Sequence, residues 1–275
     1  MINHDVEKID VKQSAVKKLD ISEKGFFVVA REPGAEHPDL PTWAVASANP
    51  IELAATAPNA VTRVEVPSVP GAFQLHNVLS KEECQRFIDA TEALGYLDDA
   101  AVSLPRKVRH NSNVTWVVDE QTDGLIWSRC QHLFAGSKIH FDGDDAMGLN
   151  GRFRFYRYGA GDFFSTHTDG SWPGSRVIDN ELVANAYPDR WSQLTFLIFL
   201  SDDFEGGSTQ FLVNKDDPSL PARRAQETET VNVRTPAGSV LCFPHGRHPL
   251  HCLHGSAVIT AGTKYIIRTD VLYPL

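Results

Sequence analysis

From residue 150 to residue 275 the chain is a succession of short apolar or alternating segments cut by turns, and no other feature limits its fold so tightly. Residues 153–158 alternate. Residues 194–200, Leu-Thr-Phe-Leu-Ile-Phe-Leu, form a run short enough to be a buried strand rather than a helix. The turn Glu205-Gly206-Gly207-Ser208 leads into 209–213. Residues 230–234 alternate again, with Val231 and Val233 on one face. Pro236-Ala237-Gly238 turns the chain into 239–243, and 264–273 form the last segment. Many short strands at this spacing predict a mainly β fold, a sandwich or a jelly-roll barrel.

Two helices are expected outside the sheets. Ser80 and Glu83 have capping-box spacing, Cys84, Phe87, Ile88, Thr91 and Leu94 recur at helical period, and Gly95 ends the run. Residues 124–134 carry a second stripe of Leu125, Ile126, Cys130 and Leu133. Residues 1–65, punctuated by prolines, read as an extended N-terminal arm with short strands. The remaining body is 66–275, with the barrel at about 150–275.

A net charge of -9, with no basic stripe among aromatics, argues against nucleic acid as a partner. No apolar run is long enough to cross a bilayer. The first residues are polar and acidic, unlike a secretory signal. Cys84, Cys130, Cys242 and Cys252 show no CxxC spacing and suit reduced thiols. A soluble, cytoplasmic protein is therefore expected.

His167-Thr168-Asp169 closes the stretch 152–169, read here as one strand. Residues i and i+2 of a strand share a face, so an imidazole and a carboxylate can converge on one ion. Alone, such a pair is weak, since most are surface or hydrogen-bonding groups. A second histidine would complete the two-His, one-carboxylate facial set that suits non-haem Fe(II). Four candidates follow 239–243: His245, His248, His251 and His254. Pro244, Gly246 and Pro249 argue against a regular helix there.

The segment from His254 to Lys264, with an apolar run and Gly262 between them, resembles the C-terminal signature of the prolyl 4-hydroxylase-like Fe(II)/2-oxoglutarate dioxygenases. Tyr158-Gly159-Ala160-Gly161-Asp162-Phe163 resembles the family stretch before its His-x-Asp. Residues 193–201, 205–211 and 236–243 resemble the family's central strand, its Gly-Gly turn and the strand before its second histidine. The resemblance covers roughly 75–275. It implies a double-stranded β-helix (jelly roll, cupin-like) with flanking helices. It further implies Fe(II) held by His167, Asp169 and His254, with 2-oxoglutarate as co-substrate, O2, and ascorbate as an optional reductant. His251 is the second choice for the distal ligand, and its offset to Lys264 fits less well.

Tyr158, nine residues before His167, matches a family tyrosine that hydrogen-bonds 2-oxoglutarate, and Thr195 can add a hydroxyl. The family offset favours Lys264 as partner of the far carboxylate. Arg268 stands four residues on, with its Cα about 13 Å away. It either takes that role, pairs with Asp270 or lines the barrel. On the substrate side, residues 103–113 could hang over the barrel mouth with Arg109 and Asn111 holding a carboxylate or amide. A solvated basic loop is the plainer alternative. Trp172 could form part of the rim or simply pack, and 174–190 read as a loop inserted beside the site. The expected substrate is a small molecule, an amino acid or a peptidyl residue. A jelly-roll metalloenzyme without 2-oxoglutarate and a non-enzymatic binding module are the rival readings.

Overall fold

The computed structural model describes residues 24–101, 105–134, 145–217, 219–223 and 228–275. In chain order the elements begin with β1 (Phe26–Glu32), β2 (Leu40–Val45), β3 (Thr62–Glu65), β4 (Phe73–His76) and helix α1 (Lys81–Leu94). Next come β5 (Arg109–His110), β6 (Ser112–Val117), helix α2 (Glu120–Cys130), β7 (Gly148–Leu149), β8 (Arg152–Tyr158) and β9 (Phe163–His167). A hairpin, β10 (Arg176–Ile178) and β11 (Glu181–Val183), precedes β12 (Arg190–Phe199), β13 (Glu205–Gly206) and β14 (Thr209–Asn214). The chain ends with β15 (Thr228–Val233), β16 (Val240–Pro244), β17 (Leu253–Ser256), β18 (Ile259–Ala261) and β19 (Lys264–Pro274).

Eight of these strands form the jelly roll. The larger sheet contains the run β8-β19-β12-β16, and the smaller one the run β15-β14-β17-β9. All pairings within the two runs are antiparallel. The larger sheet is extended on one side by β6, β2 and β1 and on the other by β4 and β3. Residues 24–65, within the expected arm, thus supply strands to both edges of the larger sheet; residues 1–23 lie outside the described residues.

The period-2 geometry of a strand gives the larger sheet two distinct buried faces. Leu194, Phe196 and Ile198 of β12 and Phe153 and Phe155 of β8 pack against Cys84, Phe87 and Ala90 of α1 and Ile126 and Cys130 of α2. The intervening residues, Leu197, Phe199, Tyr156 and Tyr158, point the other way. They meet Phe211, Val213 and Val233 of the smaller sheet. Between the sheets the lining changes from apolar to polar, and the site lies there.

Helix α1 has the expected capping box. Glu83 N–H bonds the Ser80 hydroxyl at 3.1 Å and Ser80 N–H bonds the Glu83 carboxylate at 2.9 Å. Helix α2 starts earlier than its apolar stripe predicts, at Glu120, because Asp119 accepts the N–H groups of Gln121 and Thr122. Its last expected turn is a short 3-10 segment, Gln131–Leu133. Glu83 also meets Arg129 of α2 at 2.7 Å, both side chains almost fully buried. Arg129 in turn donates to the Val78 carbonyl, and Glu83 accepts Ala54 N–H. One buried ion pair therefore joins both helices to the segment leading in from the N-terminal strands. All four cysteines are buried free thiols.

Candidate metal centre

The run 152–169 is two strands, not one. Asp162 accepts the Gly159 N–H at 2.8 Å and Gly161 takes a φ of 90°, so the chain turns back between β8 and β9. β9 ends at His167, which lies directly opposite His254 on β17. Asp169 follows just past the strand end. The next residue on β17 is Gly255, where a Cβ would come within 2.6 Å of the Phe164 carbonyl oxygen on β9. Glycine therefore permits the close approach of the two strands, and the two imidazole centroids lie 4.3 Å apart.

The ligand atoms of His167, Asp169 and His254 all lie within 4.8 Å of one another, and neither His251 nor any other described residue joins them. His167 Nε2 is 3.7 Å from Asp169 Oδ1, and His254 Nε2 is 3.6 Å from Asp169 Oδ2. The Nδ1 atom of His167 lies 2.8 Å from the Ser165 carbonyl, and that of His254 lies 3.2 Å from the Cys252 carbonyl. A carbonyl only accepts, so each Nδ1 carries the hydrogen and each Nε2 presents its lone pair inward. Burial above all depresses the His254 pKa to about 4, which keeps the ring neutral. Burial disfavours the Asp169 anion, but Arg268 and then His254 outweigh it and hold the carboxyl well below its ordinary range. Two neutral nitrogens and one anionic oxygen facing a common point fit Fe(II).

A directed hydrogen-bond chain stands behind Asp169. Thr195 gives its hydroxyl proton to Asp169 Oδ2 at 2.7 Å, so toward His245 Nδ1, 2.8 Å away, it can only accept. His245 Nε2 then accepts from Ser192 Oγ at 3.0 Å, and Ser192 accepts the Trp172 N–H at 2.8 Å. Burial lowers the His245 pKa, which favours the single neutral tautomer that this chain requires. Thr195 lines the pocket as expected, but its proton serves Asp169 rather than a second carboxylate.

Lys264 opens β19 directly opposite Tyr158 on β8. The pocket that reaches the triad is lined at its other end by Lys264, Tyr158 and Ser256. The Lys264 ammonium donates to the Gly207 carbonyl at 2.8 Å and the Ser256 hydroxyl at 3.0 Å. It sits 5.3 Å from the Tyr158 ring centroid and 5.4 Å from that of Phe199. Among the described residues no carboxylate offsets it, and burial, with a smaller push from Arg234, lowers its pKa to about 7. Burial raises the Tyr158 phenol, so the hydroxyl stays a donor. Gly207 has φ 61° and no room for a Cβ, which would meet Ile259.

Arg268 lies on the same face of β19, nearer the triad. Its Nη2 is 3.0 Å from Asp270 Oδ1 and 3.5 Å from Asp169 Oδ2. Arg268 thus meets Asp270 and Asp169 and lines the pocket.

A second cleft adjoins the triad on the side away from Lys264. Arg109, Arg154, Tyr156, Trp172 and Arg268 line it. Arg109 belongs to β5, pairs with β9 and is 8% exposed, so it is no solvated loop residue. Ser103 and Leu104 of the expected overhanging segment lie outside the described residues. Asn111 is buried beside Asn113 and is not part of the cleft wall. Trp172 lines the cleft, with the Arg154 guanidinium 5.4 Å from its ring. The stretch 174–190 is not an irregular loop over the site. Asp179 and Asn180 take positive φ in a tight turn between β10 and β11, and Arg176 pins the hairpin to Asp123 of α2 and to Tyr187.

Sequence reading passed over Arg154 and Ser192, named His245 only among the candidate distal histidines, and named Asp270 only as a candidate partner of Arg268. The strict alternation of β8 places Arg154 on the face of Tyr156 and Tyr158, and that signal was available. Nothing local marks His245 or Asp270.

No family model matches the chain, and no curated protein matches it. Among solved structures, it is similar to a viral collagen prolyl hydroxylase from Paramecium Bursaria Chlorella virus-1 in complex with 2OG. Identity is 16%, over 76% of this chain and 99% of that one, with a TM-score of 0.47. A Pseudomonas putida prolyl-4-hydroxylase is 15% identical over 74% of this chain and 92% of its own, with a TM-score of 0.44. A Burkholderia pseudomallei oxidoreductase of the 2OG-Fe(II) oxygenase family is 15% identical over 78% and 65%, with a TM-score of 0.31.

Proposed function

We propose that the protein is an Fe(II)- and 2-oxoglutarate-dependent oxygenase that hydroxylates a second substrate. One observation carries the reading: Lys264 is a buried amine without a carboxylate partner among the described residues, in a pocket that also contains His167, Asp169 and His254. A buried ammonium is costly unless an anion meets it. The distal carboxylate of 2-oxoglutarate would be that anion, with Tyr158 as a hydroxyl donor beside it. The co-substrate's other end would then face the metal.

Held by His167, Asp169 and His254, the iron would supply oxygen activation, in which 2-oxoglutarate and O2 would give succinate and carbon dioxide and the second oxygen atom would enter a substrate C–H bond. The chain's own residues do the rest. His167 and His254 hold their Nε2 lone pairs inward through backbone carbonyls, and Thr195 fixes the Asp169 carboxylate. Phe164 stacks on the His167 ring at 3.7 Å and Phe243 packs at 4.5 Å from His254, which shields the ligands from water.

The test is anaerobic loading of the full chain with Fe(II), followed by 2-oxoglutarate. A visible charge-transfer band that His167→Ala and His254→Ala abolish supports the reading. Iron binding without a band would reject the co-substrate assignment.

A further inference from the structure

Arg154 on β8 and Arg268 on β19 are direct cross-strand partners. Their side chains share the barrel interior, 8% and 7% exposed. Like charges directly opposite one another destabilise a sheet. Arg268 is compensated by Asp270 and Asp169. Arg154 makes no ion pair among the described residues and feels Asp270 only at longer range: its Nη1 is buried with no hydrogen-bond partner, and its nearest ring contact is Trp172. Arg109 reaches the same cleft from β5, its guanidinium 5.7 Å from the Tyr156 and Phe164 rings, again without a carboxylate beside it among the described residues. Two buried guanidinium groups, neither in an ion pair among the described residues, thus stand over a cleft that also contains His167 and Asp169.

This cationic end is separate from the Lys264 end. Arg154 and Tyr158 are four residues apart on β8, about 13 Å between Cα atoms, and Tyr158 is the residue opposite Lys264. The pocket that contains Lys264 and the cleft that contains Arg154 share His167 and Asp169 but not those two cations, and would hold different anions.

We propose that the second substrate is a small organic acid, its carboxylate held by Arg154 and Arg109 against Trp172. This rests on the oxygenase reading and narrows its substrate class. A guanidinium fork matches a carboxylate in plane and in spacing. The aromatic wall of Trp172, Tyr156 and Phe164 suits the carbon skeleton next to it. Held there, the acid places a nearby C–H bond toward the face of the triad that Lys264 does not serve.

Matched pairs test this directly. N-acetyl-amino acids, each as the free acid and as the primary amide, are titrated calorimetrically into the full chain carrying Fe(II) and 2-oxoglutarate under argon. The visible band is recorded first in every protein, so that a failure of the oxygenase reading shows before any acid is added. Calorimetry is repeated on the metal-free chain. The expected result is that at least one acid binds roughly tenfold or more tightly than its amide. The preference disappears in Arg154→Gln and in Arg109→Gln while the band persists, which also certifies that each variant is folded. The proposal is overturned if acids and amides bind alike, if both variants keep the preference, or if only inorganic phosphate binds the cleft.

Discussion

Thr195 stands between Asp169 and His245, donating to the carboxylate at 2.7 Å and accepting from the ring at 2.8 Å. Valine at 195 would keep the volume and remove the proton. Asp169 would then lose the bond that fixes its rotamer, and His245 would lose its acceptor. Fe(II) affinity of Thr195→Val should fall about tenfold to a hundredfold, the usual cost of removing a group that orients a metal ligand. An anaerobic metal titration with a chelator competitor measures it. Unchanged affinity would mean that the carboxylate is held by the strand end alone.

Closeness of β9 and β17 should be equally measurable. Gly255→Ala puts a methyl group against the Phe164 carbonyl and must push the strands apart by several tenths of an ångström. His167 and His254 separate with them. Metal affinity should drop roughly tenfold or more, while the fold persists by circular dichroism. Normal iron binding in this variant would show that the ladder has slack.

Lys264 gives the co-substrate site a pH dependence. Its pKa is lowered from 10.5 to about 7, by burial first and Arg234 second. Only the ammonium form can neutralise a carboxylate. Binding of 2-oxoglutarate should therefore be full below pH 7 and weaken as pH rises through it, by up to about tenfold per unit. The stability of the ligand-free chain moves oppositely: the unfolded state keeps this proton to 10.5, so the folded state gains between pH 7 and 10.5. Titrations of the visible band at several pH values check the first trend. Lys264→Met should abolish the slope along with most of the affinity.

Acid should destabilise the metal-free protein through its histidines. His254 has a pKa lowered to about 4 by burial, and burial lowers His245 as well. Unfolded, each would take up a proton near 6.5, so the unfolded state binds more protons in that window. Stability due to these rings is present above pH 6.5 and is lost as pH falls toward 4. Urea midpoints between those values should decline, and His245→Gln should flatten part of the decline.

Glu83 and Arg129 make the strongest stability prediction. Both are buried, and two hydrogen bonds join them. Glu83→Ala strands a guanidinium between two helices and should cost about 3–5 kcal/mol, read by urea denaturation. Replacing both with Met and Leu should recover much of it.

The barrel was legible because its strands are short, apolar and separated by glycine-marked turns. The capping box of α1 was legible because its partners are three residues apart. Local logic misplaced the start of α2, where Asp119 sets the boundary and apolar periodicity begins later. It also merged β8 with β9, since the Asp162 turn has no proline and Gly159 and Gly161 sit inside an aromatic run. The metal set was readable from one short spacing plus a resemblance. The role of His245 was not, because it depends on Thr195 and Ser192, 50 or more residues away in the chain. Arg154 lies between these cases: alternation fixes its face, but only the pairing of β8 with β19 shows what stands opposite.

The position of β19 has a consequence for how the molecule is made. It is the last strand in the chain and lies at the centre of the larger sheet, hydrogen-bonded to β8 on one side and β12 on the other. Until residue 264 and those after it leave the ribosome, β8 and β12 have unpaired edges, and neither Lys264 nor Arg268 is present. Folding of the barrel therefore waits on this long-range pairing of β19 with β8 and β12, slow by its topology. During synthesis those edges are the surfaces most open to misassociation.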